Sequence, residues 1–507
     1  MLRIISILLL LGLSVIDATA QIMALPGGIS STAIHQGGFE TPALPASPGH
    51  QYRPTGSAWT FTNGAGLSRN SSGFTTANPP APEGNQVLFL QDVDATVTQS
   101  IAFGPGKFRL VLAVAQRGNS NNGGQTLEVS VDGRVLGRFI PPNSSYLDVA
   151  TTTIEVAAGS HTVQLRGINS LGGDNTALID NLRLEQITAP MPWSSPATWA
   201  GGVVPTAGSN VMIPMDAAVR LDTTTTTVGE VMVEGYLAVD RQDIALTAHS
   251  VMVMGQKAHF ECGTEDSPFL EKFTLTLTES PGAASSMGKK FLGAMDGGVI
   301  EIHGRDRTDW TQLGATAVKN ATSITLKEPV DWQAGEEIVI ASTDFDAHQA
   351  ETRVISSVAP DGLTVNFTTP LTYMHWGTLQ NYNDGTDLHV LDERAEVGLL
   401  TRNVKIQGDA LSESSGFGGH VMIMKMACCL TTGVARISGT EFFRMGQKSL
   451  IGRYPFHWHH CGDVTGQYLR GCGIHRSFNR VVTVHNTDQS VVEDNVGYDH
   501  VGHGYFL

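Results

Sequence analysis

Charge is scarce in this chain. Of 507 residues only 16% are charged, against about a quarter in an ordinary soluble domain. Basic residues are scarcer still: 32 Lys and Arg face 48 Asp and Glu, a formal net charge of −16. Wrapping a nucleic-acid backbone needs clustered cations that displace counterions, so that class of partner is excluded. No internal apolar run reaches the roughly 18 residues of a spanning helix, which excludes a polytopic membrane protein. Cysteine is rare as well. The five are Cys262, Cys428, Cys429, Cys461 and Cys472, too few for a disulfide scaffold, and any full pairing leaves one over. A Cys461–Cys472 bridge is one option, whereas adjacent Cys428 and Cys429 would face opposite sides of a strand. No Cys-x-x-Cys pair occurs, which argues against a thiolate zinc site.

What is present points to strands. The chain is 41% hydrophobic with 56 Gly, and helical periodicity is nearly absent. Met1 to Ala20 reads as a secretory signal: Arg3 is the positive end, Ile4 to Val15 the apolar stretch, and Ala18-Thr-Ala20 the cleavage site. The mature protein is expected outside the cytoplasm, with no stable membrane span once the signal is removed. Residues 31–187 form one β-rich unit. Runs such as Gln86-Val-Leu-Phe-Leu90 and Phe108-Arg-Leu-Val-Leu-Ala-Val114 are punctuated by Asp132-Gly133 and Asn121-Asn-Gly-Gly124, the pattern of an antiparallel sandwich. The opening Gly37-Gly-Phe-Glu40 and the closing Ala177-Leu-Ile-Asp-Asn-Leu-Arg-Leu184 resemble the ends of secreted jelly-roll, carbohydrate-binding-like domains. That resemblance makes the first and last strands neighbours. Glu40 and Asp180 would then share a structural calcium, whose preferred ligands are carboxylate oxygens. Trp59, Tyr52 and Tyr146 are either a sugar-stacking face or core aromatics.

After a joint at residues 188–198 come Trp199, Pro205, Ile213-Pro214, Val219, Leu221-Asp222, Gly229, Gly235 and Leu237. This ordered set resembles the G-eight domain, a glycine-named β module placed here at residues 195–312. Turn glycines and core apolars of this kind specify a fold, not a reaction. Ile300-Glu-Ile-His-Gly304, Trp310-Thr-Gln-Leu313, Glu336 to Glu351 and Arg394 to Gln407 extend the likeness to the cell-migration-inducing hyaluronan-binding protein and transmembrane hyaluronidase family. The likeness runs over about residues 195–507 and leaves the N-terminal sandwich as a separate attachment.

Eight of the 17 histidines lie between residues 420 and 507: His420, His457, His459, His460, His475, His485, His500 and His503. Short β runs there recur at about 20–23 residues, the sign of a parallel β-helix in which each coil stacks on the last. The fold class is therefore all-β: a jelly-roll sandwich, then a G-eight domain running into a right-handed, pectin-lyase-like parallel β-helix, with residues 313–507 holding a β-rich segment and that helix. If Pro455 to His459 is extended, Phe456 and Trp458 share the inner face while His457 and His459 point out. Val482 and Val484 likewise point in, with Thr483 and His485 out. The stretch Gly452-Arg-Tyr-Pro-Phe-His-Trp-His-His-Cys-Gly-Asp463 resembles the family's GRYP-x-H-x-H-x-x-GD signature. The resemblance implies an outward groove formed by Arg453, His457, His459, Asp463, His475, Arg480, His485, Asp499 and His503.

Within that groove Asp463 and Asp499 are the carboxylate candidates for glycosidic cleavage, with Glu493 and Asp494 in reserve. His457, His459 and His503 would move protons. Arg453 and Arg480, with His475 and His485, would hold the uronate carboxylates of an acidic glycan. The expected activity is a hyaluronidase-like glycoside hydrolase with polysaccharide elimination as runner-up; calcium is the expected ion and no organic cofactor is implied. The alternative is a non-catalytic glycan-binding or adhesive protein. A third reading is a transition-metal site, because His-x-His-His supplies imidazoles. The chain stops at Leu507 inside an apparent strand, Gly504 to Leu507, without a polar cap, so it reads as a fragment or truncated product of a longer protein.

Overall fold

Runs of alternating apolar residues dictate strands, and their stacking dictates the rest. The computed structural model describes residues 21–507 except 121–123, 172–173, 283, 286, 427–428 and 430. The signal-like segment and Cys428 lie outside the described residues. Among those described, the only α-helix is the single turn Leu411–Ser415.

The N-terminal unit packs a five-stranded antiparallel sheet against an eight-stranded one. Its core includes Leu88, Leu90, Val114, Val129, Leu165 and Ile179. The first strand of the unit, Ile29–Ala33, lies antiparallel beside the last, Thr176–Ile187, as the jelly-roll resemblance implies.

The rest of the chain coils. One sheet stacks eight parallel strands: Met191–Pro192, Ala218–Leu221, Tyr236–Val239, His259–Cys262, Val299–His303, Val434–Ser438, Tyr468–Arg470 and Val491–Glu493. This is the sandwich-facing sheet. The other starts as single strands, Asn210–Ile213, Thr227–Val233 and Ile244–Met254, and then forks. The first half of Ile244–Met254 pairs with Phe273–Leu277 and the second half with Phe291–Met295. Each later coil therefore has three strands. One branch, the histidine branch, continues through His420–Met424, Phe456–Asp463, Val482–Asp488 and Tyr505–Phe506. The far branch continues through Val404–Gly408, Thr440–Phe443, Gly473–Ser477 and Val496–His500. The G-eight region runs into the helix by supplying its first coils. One continuous core, from Val211 to Val484, fills the interior.

The coils turn at stacked corners. Gly439, Gly471 and Asp494 follow in-register residues and share φ values of 57°, 55° and 54°. Two are glycine because a Cβ is disfavoured in this left-handed region.

Residues 310–399 are an insertion that the sequence did not separate from the β-helix. They form a six-stranded antiparallel sheet with its own core of Ile338, Ile340, Val365, Val397 and Leu399. The insertion leans on the far branch: Gly398 abuts the Val496 side chain, and Trp310 Nε1 donates to Asp494 Oδ1 at 3.1 Å. The sandwich covers the sandwich-facing sheet through buried charges. Arg109 donates to Glu185 Oε2 at 2.9 Å and to the Lys257 carbonyl at 2.8 Å. Lys107 pairs with Glu261, which also accepts from Thr153 Oγ1 at 2.7 Å. Cys262, Cys429, Cys461 and Cys472 are buried, and Cys262, Cys461 and Cys472 are free thiols. Cys461 and Cys472 therefore form no bridge; Cys461 lies on the Phe456–Asp463 strand and Cys472 just before Gly473–Ser477, and they donate to the Ile423 and Arg470 carbonyls.

Two measurements check this architecture. Trp458 is fully buried and donates Nε1–H to Gln467 Oε1 at 2.9 Å. Trp458→Ala is expected to lower unfolding free energy by about 3–5 kcal/mol in urea titrations. Arg109→Ala removes the bond to the Lys257 carbonyl and leaves Glu185 with Lys257 as its remaining cation, and is expected to destabilise docking by about 1–3 kcal/mol. In calorimetry the sandwich should then melt separately from the β-helix; a single unchanged transition would contradict the buried interface.

Candidate functional site

The histidines come together because two rungs stack in register. His457 lies over Thr483 and His459 over His485, while Phe456, Trp458, Val482 and Val484 fill the core. The strand then bulges between His459 and Gly462. His460 has φ 54° and Asn486, its neighbour one coil on, φ 46°. The bulge turns His460 to the same side: its ring centroid is 4.5 Å from that of His459 and 4.4 Å from that of His485. Asn486 Nδ2 donates to His460 Nδ1 at 2.9 Å. One ring nitrogen from each of His457, His459 and His485 lies within 4.8 Å of the others.

Exposure is graded across the cluster. His485 is exposed, His459 half-buried, and His457 only 1% exposed although it points away from the core. The segment before the strand covers it: His457 Nδ1 lies 3.2 Å from the Gly452 carbonyl, and the Tyr454 ring stands edge-on at 5.0 Å. Because a carbonyl can only accept, Nδ1 carries the proton. His457 Nε2 is buried and has no hydrogen-bond partner. Burial, chiefly, holds the His457 pKa down to about 3, with His459, His485 and Arg453 adding like-charge repulsion. Burial, then His460, His485 and Arg453, bring His459 to about 4. Both are neutral imidazoles at physiological pH, able to accept a proton or donate a lone pair.

Cationic and aromatic groups border the cluster. Arg453 is half-buried, with Nη1 3.9 Å from Met422 Sδ. The Arg480 guanidinium lies 5.3 Å from the Tyr454 ring centroid and 3.7 Å from that of Phe506, and donates to Tyr454 Oη at 3.4 Å. His503 is exposed one coil further along, its carbonyl accepting from Val481 N–H at 3.2 Å. Arg453, Arg480 and the imidazoles thus share one outward region.

The other expected members lie elsewhere. Asp463 caps its own turn, accepting from Thr465 N–H at 2.8 Å and Thr465 Oγ1 at 2.6 Å. It lines a cavity of about 470 Å³ between the sandwich and the β-helix, with Arg138, Lys425 and Arg436. Asp499 occupies a left-handed corner, φ 50°, at the end of the far branch. The Val482–Asp488 strand separates their two ends of the coil, a span on the order of 20 Å. The paired-carboxylate groove is therefore not assembled. His475 is also not in the groove. It is 2% exposed and binds Glu441 Oε1 through Nε2 at 3.1 Å. Lys405 Nζ is 2.8 Å from the same oxygen, and Arg402 N–H donates to Glu441 Oε2 at 3.1 Å. Sequence reasoning did not assign His460 or Tyr454 to the site; the adjacent His459-His460 pair was the available signal, and the bulge that uses it was not.

In the sandwich, Glu40 and Asp180 do approach one another, and Glu83, not singled out from sequence, joins them. Glu40 Oε1 accepts from Asn85 and Gln86 N–H at 2.7 Å. Asp180 Oδ2 accepts from Glu83 N–H at 2.7 Å, while Asp180 Oδ1 is buried without a partner. Burial raises the Asp180 pKa to about 7, with Glu83 and Glu40 repelling its charge. Gly38 and Gly84 leave the room: a Cβ on either would strike the Glu83 or Glu40 carboxylate. Trp59 is a core aromatic, 3% exposed, donating Nε1–H to the Gln36 carbonyl. Tyr52 is 39% exposed beside Phe74 and Phe89, and Tyr146 packs on the same patch.

Comparison with known proteins follows these boundaries. Residues 198–314 match the G8 domain family and residues 416–507 the CEMIP beta-helix family. Human fibrocystin-L is 31% identical over 452 residues, covering 78% of this chain and 10% of the relative. The chain thus spans about a tenth of that protein's length. A cyclase from Fischerella sp. TAU aligns with a TM-score of 0.26 and 21% identity over 32% of this chain and 98% of its own. The CBM22-1 xylan-binding domain from Paenibacillus barcinonensis gives 0.21 and 12% identity over 28% and 93%. No helix among the described residues is long and apolar enough to cross a membrane.

The Glu441 network carries its own test. Burial would raise the Glu441 pKa, but the His475 hydrogen bond and the Lys405 charge outweigh it and leave the pKa lowered. A depressed carboxylate stabilises the fold above its unfolded pKa of about 4.3, and that contribution is lost as pH falls through the folded value. Glu441→Gln is expected to lower stability by about 3–5 kcal/mol at pH 7. The gap to wild type should narrow below about pH 4 in urea titrations.

Proposed function

We propose that this chain, which carries a G8 domain and a CEMIP-type β-helix behind an antiparallel sandwich, is an extracellular protein that recognises acidic glycans. The observation that supports this reading is the gathering of half-buried Arg453, Arg480 and the imidazoles of His459, His460 and His485 in one outward region, with the buried Tyr454 ring packed between Arg480 and His457. Guanidinium groups pair with carboxylates through parallel N–H donors. Tyr454 and Phe506 hold Arg480 in place by cation–π contact. On a protein of net charge −16, such a local cationic strip gives orientation to an anionic chain.

A second reading, depolymerisation by elimination, is favoured by neutral imidazoles beside guanidiniums. An arginine would neutralise the uronate carboxylate and an imidazole would take the proton on the adjacent carbon. The electron pair would form the new carbon–carbon double bond as the glycosidic oxygen leaves and takes a proton. This chemistry needs no carboxylate pair. Hydrolysis through Asp463 and Asp499 would need carboxyl groups within about 5–9.5 Å, and their separate positions in the coil do not favour it.

Retention of the full chain on immobilised hyaluronan, against a neutral polysaccharide, tests the first reading. Arg480→Ala and Arg453→Ala are each expected to weaken retention by about tenfold, the cost of one charge-assisted pair. Unchanged retention in both would remove the glycan reading. Growth of ultraviolet absorbance from the unsaturated product, lost in His459→Ala, would support elimination.

The sandwich adds a cation proposal. Glu40, Glu83 and Asp180 suit calcium, since hard carboxylate oxygens are its ligands and Asp180 Oδ1 lacks any other partner. Calcium at 100 times its dissociation constant is expected to add about 2.7 kcal/mol to the sandwich's stability. Asp180→Asn should abolish the calcium-dependent rise in melting temperature.

A further inference from the structure

We propose that His457, His459 and His485 bind one copper ion through their imidazole nitrogens, with a fourth position open to solvent. The site goes beyond glycan recognition and does not depend on it. Its first support is His457. The side chain is 1% exposed, its Nδ1–H is fixed by the Gly452 carbonyl, and its Nε2 is buried with no partner. A metal-bound histidine shows this arrangement: one nitrogen donates to a backbone carbonyl and so fixes the tautomer that presents the other.

The second support is spacing. His459 Nδ1 and His485 Nδ1 are 3.2 Å apart. Two nitrogens bound to a tetrahedral ion at about 2.05 Å stand about 3.3 Å from one another. The cluster closes on the protein side at His457 and opens at His485, so an ion has an entry path. Arg453 is the cation that faces the cluster, and it favours an anionic fourth ligand such as hydroxide or a carboxylate.

The third support selects the metal. The outward column below the histidines is built of methionine. Met232 pairs with Met252, Met252 with Gly293, Gly293 with Met422, and Met422 with His457. Beside it, Met424 pairs with His459. Met287 Sδ fills the space where a Cβ on Gly293 would stand. Met252, Met287, Phe291, Met295 and Met422 form a cluster apart from the main core. Imidazoles suit copper and zinc alike, but thioethers are soft ligands that select cuprous ion. Three imidazoles one rung from two thioethers therefore fit both copper oxidation states.

The test is copper binding to the full chain. Titration with cupric ion, followed by electron paramagnetic resonance, should give one site per chain with nitrogen couplings from imidazole. Exposed His485→Ala should weaken cupric binding by about a hundredfold, with circular dichroism unchanged. His348→Ala, at an exposed histidine outside the cluster, should leave binding as in the wild type. Cuprous ion measured against a bicinchoninate competitor should bind about tenfold more weakly in Met422→Leu. If His485→Ala and His459→Ala bind cupric ion like the wild type, the three-histidine site is overturned. If cuprous ion does not compete with the chelator at all, the copper assignment fails even where cupric ion binds.

Discussion

In-register stacking of parallel strands is the constraint on which everything else depends. Each rung sets its side chains directly over those of the rung before, so inward columns become a continuous core and outward columns become ladders of like position. Val421, Phe456 and Val482 form one inward column; Met422, His457 and Thr483 form the outward column next to it. A change of residue type along an outward column is thus a change of chemistry along a line. Here the line passes from thioether to imidazole.

Which outward columns meet solvent is decided by what covers them. The sandwich lies on one sheet, where Glu261 and Arg109 make buried pairs with groups from the opposite unit. The insertion lies against the far branch, and His475 is there a buried partner of Glu441. Among the described residues, the His457–His459 part of the histidine branch has neither cover, although the strand's far end at Asp463 faces the sandwich across the cavity. The short segment before Phe456 folds over that part, burying His457 and leaving His459 and His485 progressively open. The same imidazole-on-strand pattern therefore yields a structural ion pair on one branch and a candidate ligand site on the other.

The site's electrostatics follow from that partial cover. Desolvation and like-charge repulsion keep His457 and His459 neutral, and the guanidiniums of Arg453 and Arg480 stand at the cluster's border. In the sandwich the opposite arrangement occurs: three carboxylates crowd together, and the buried one, Asp180, is pushed toward its neutral form.

The sequence by itself determined whatever depends on neighbours along the chain. Alternation sent Phe456 and Trp458 inward and His457, His459 and His485 outward; Glu40 and Asp180 were named through the resemblance of the sandwich's ends to jelly-roll domains. Tertiary structure alone decided the rest. Successive rungs at Val421, Phe456, Val482 and Tyr505 are 35, 26 and 23 residues apart, so no fixed period announced which residues would stack. Asp463 and Asp499 were thereby assigned to a groove they do not share. The insertion's strands read only as a β-rich segment without bounds, because a strand's pattern does not say whether its partner runs parallel or antiparallel. Burial of His457 and His475, and the arrival of Glu83 beside Asp180, depend on backbone brought from elsewhere, since exposure belongs to the assembled surface and not to the residue.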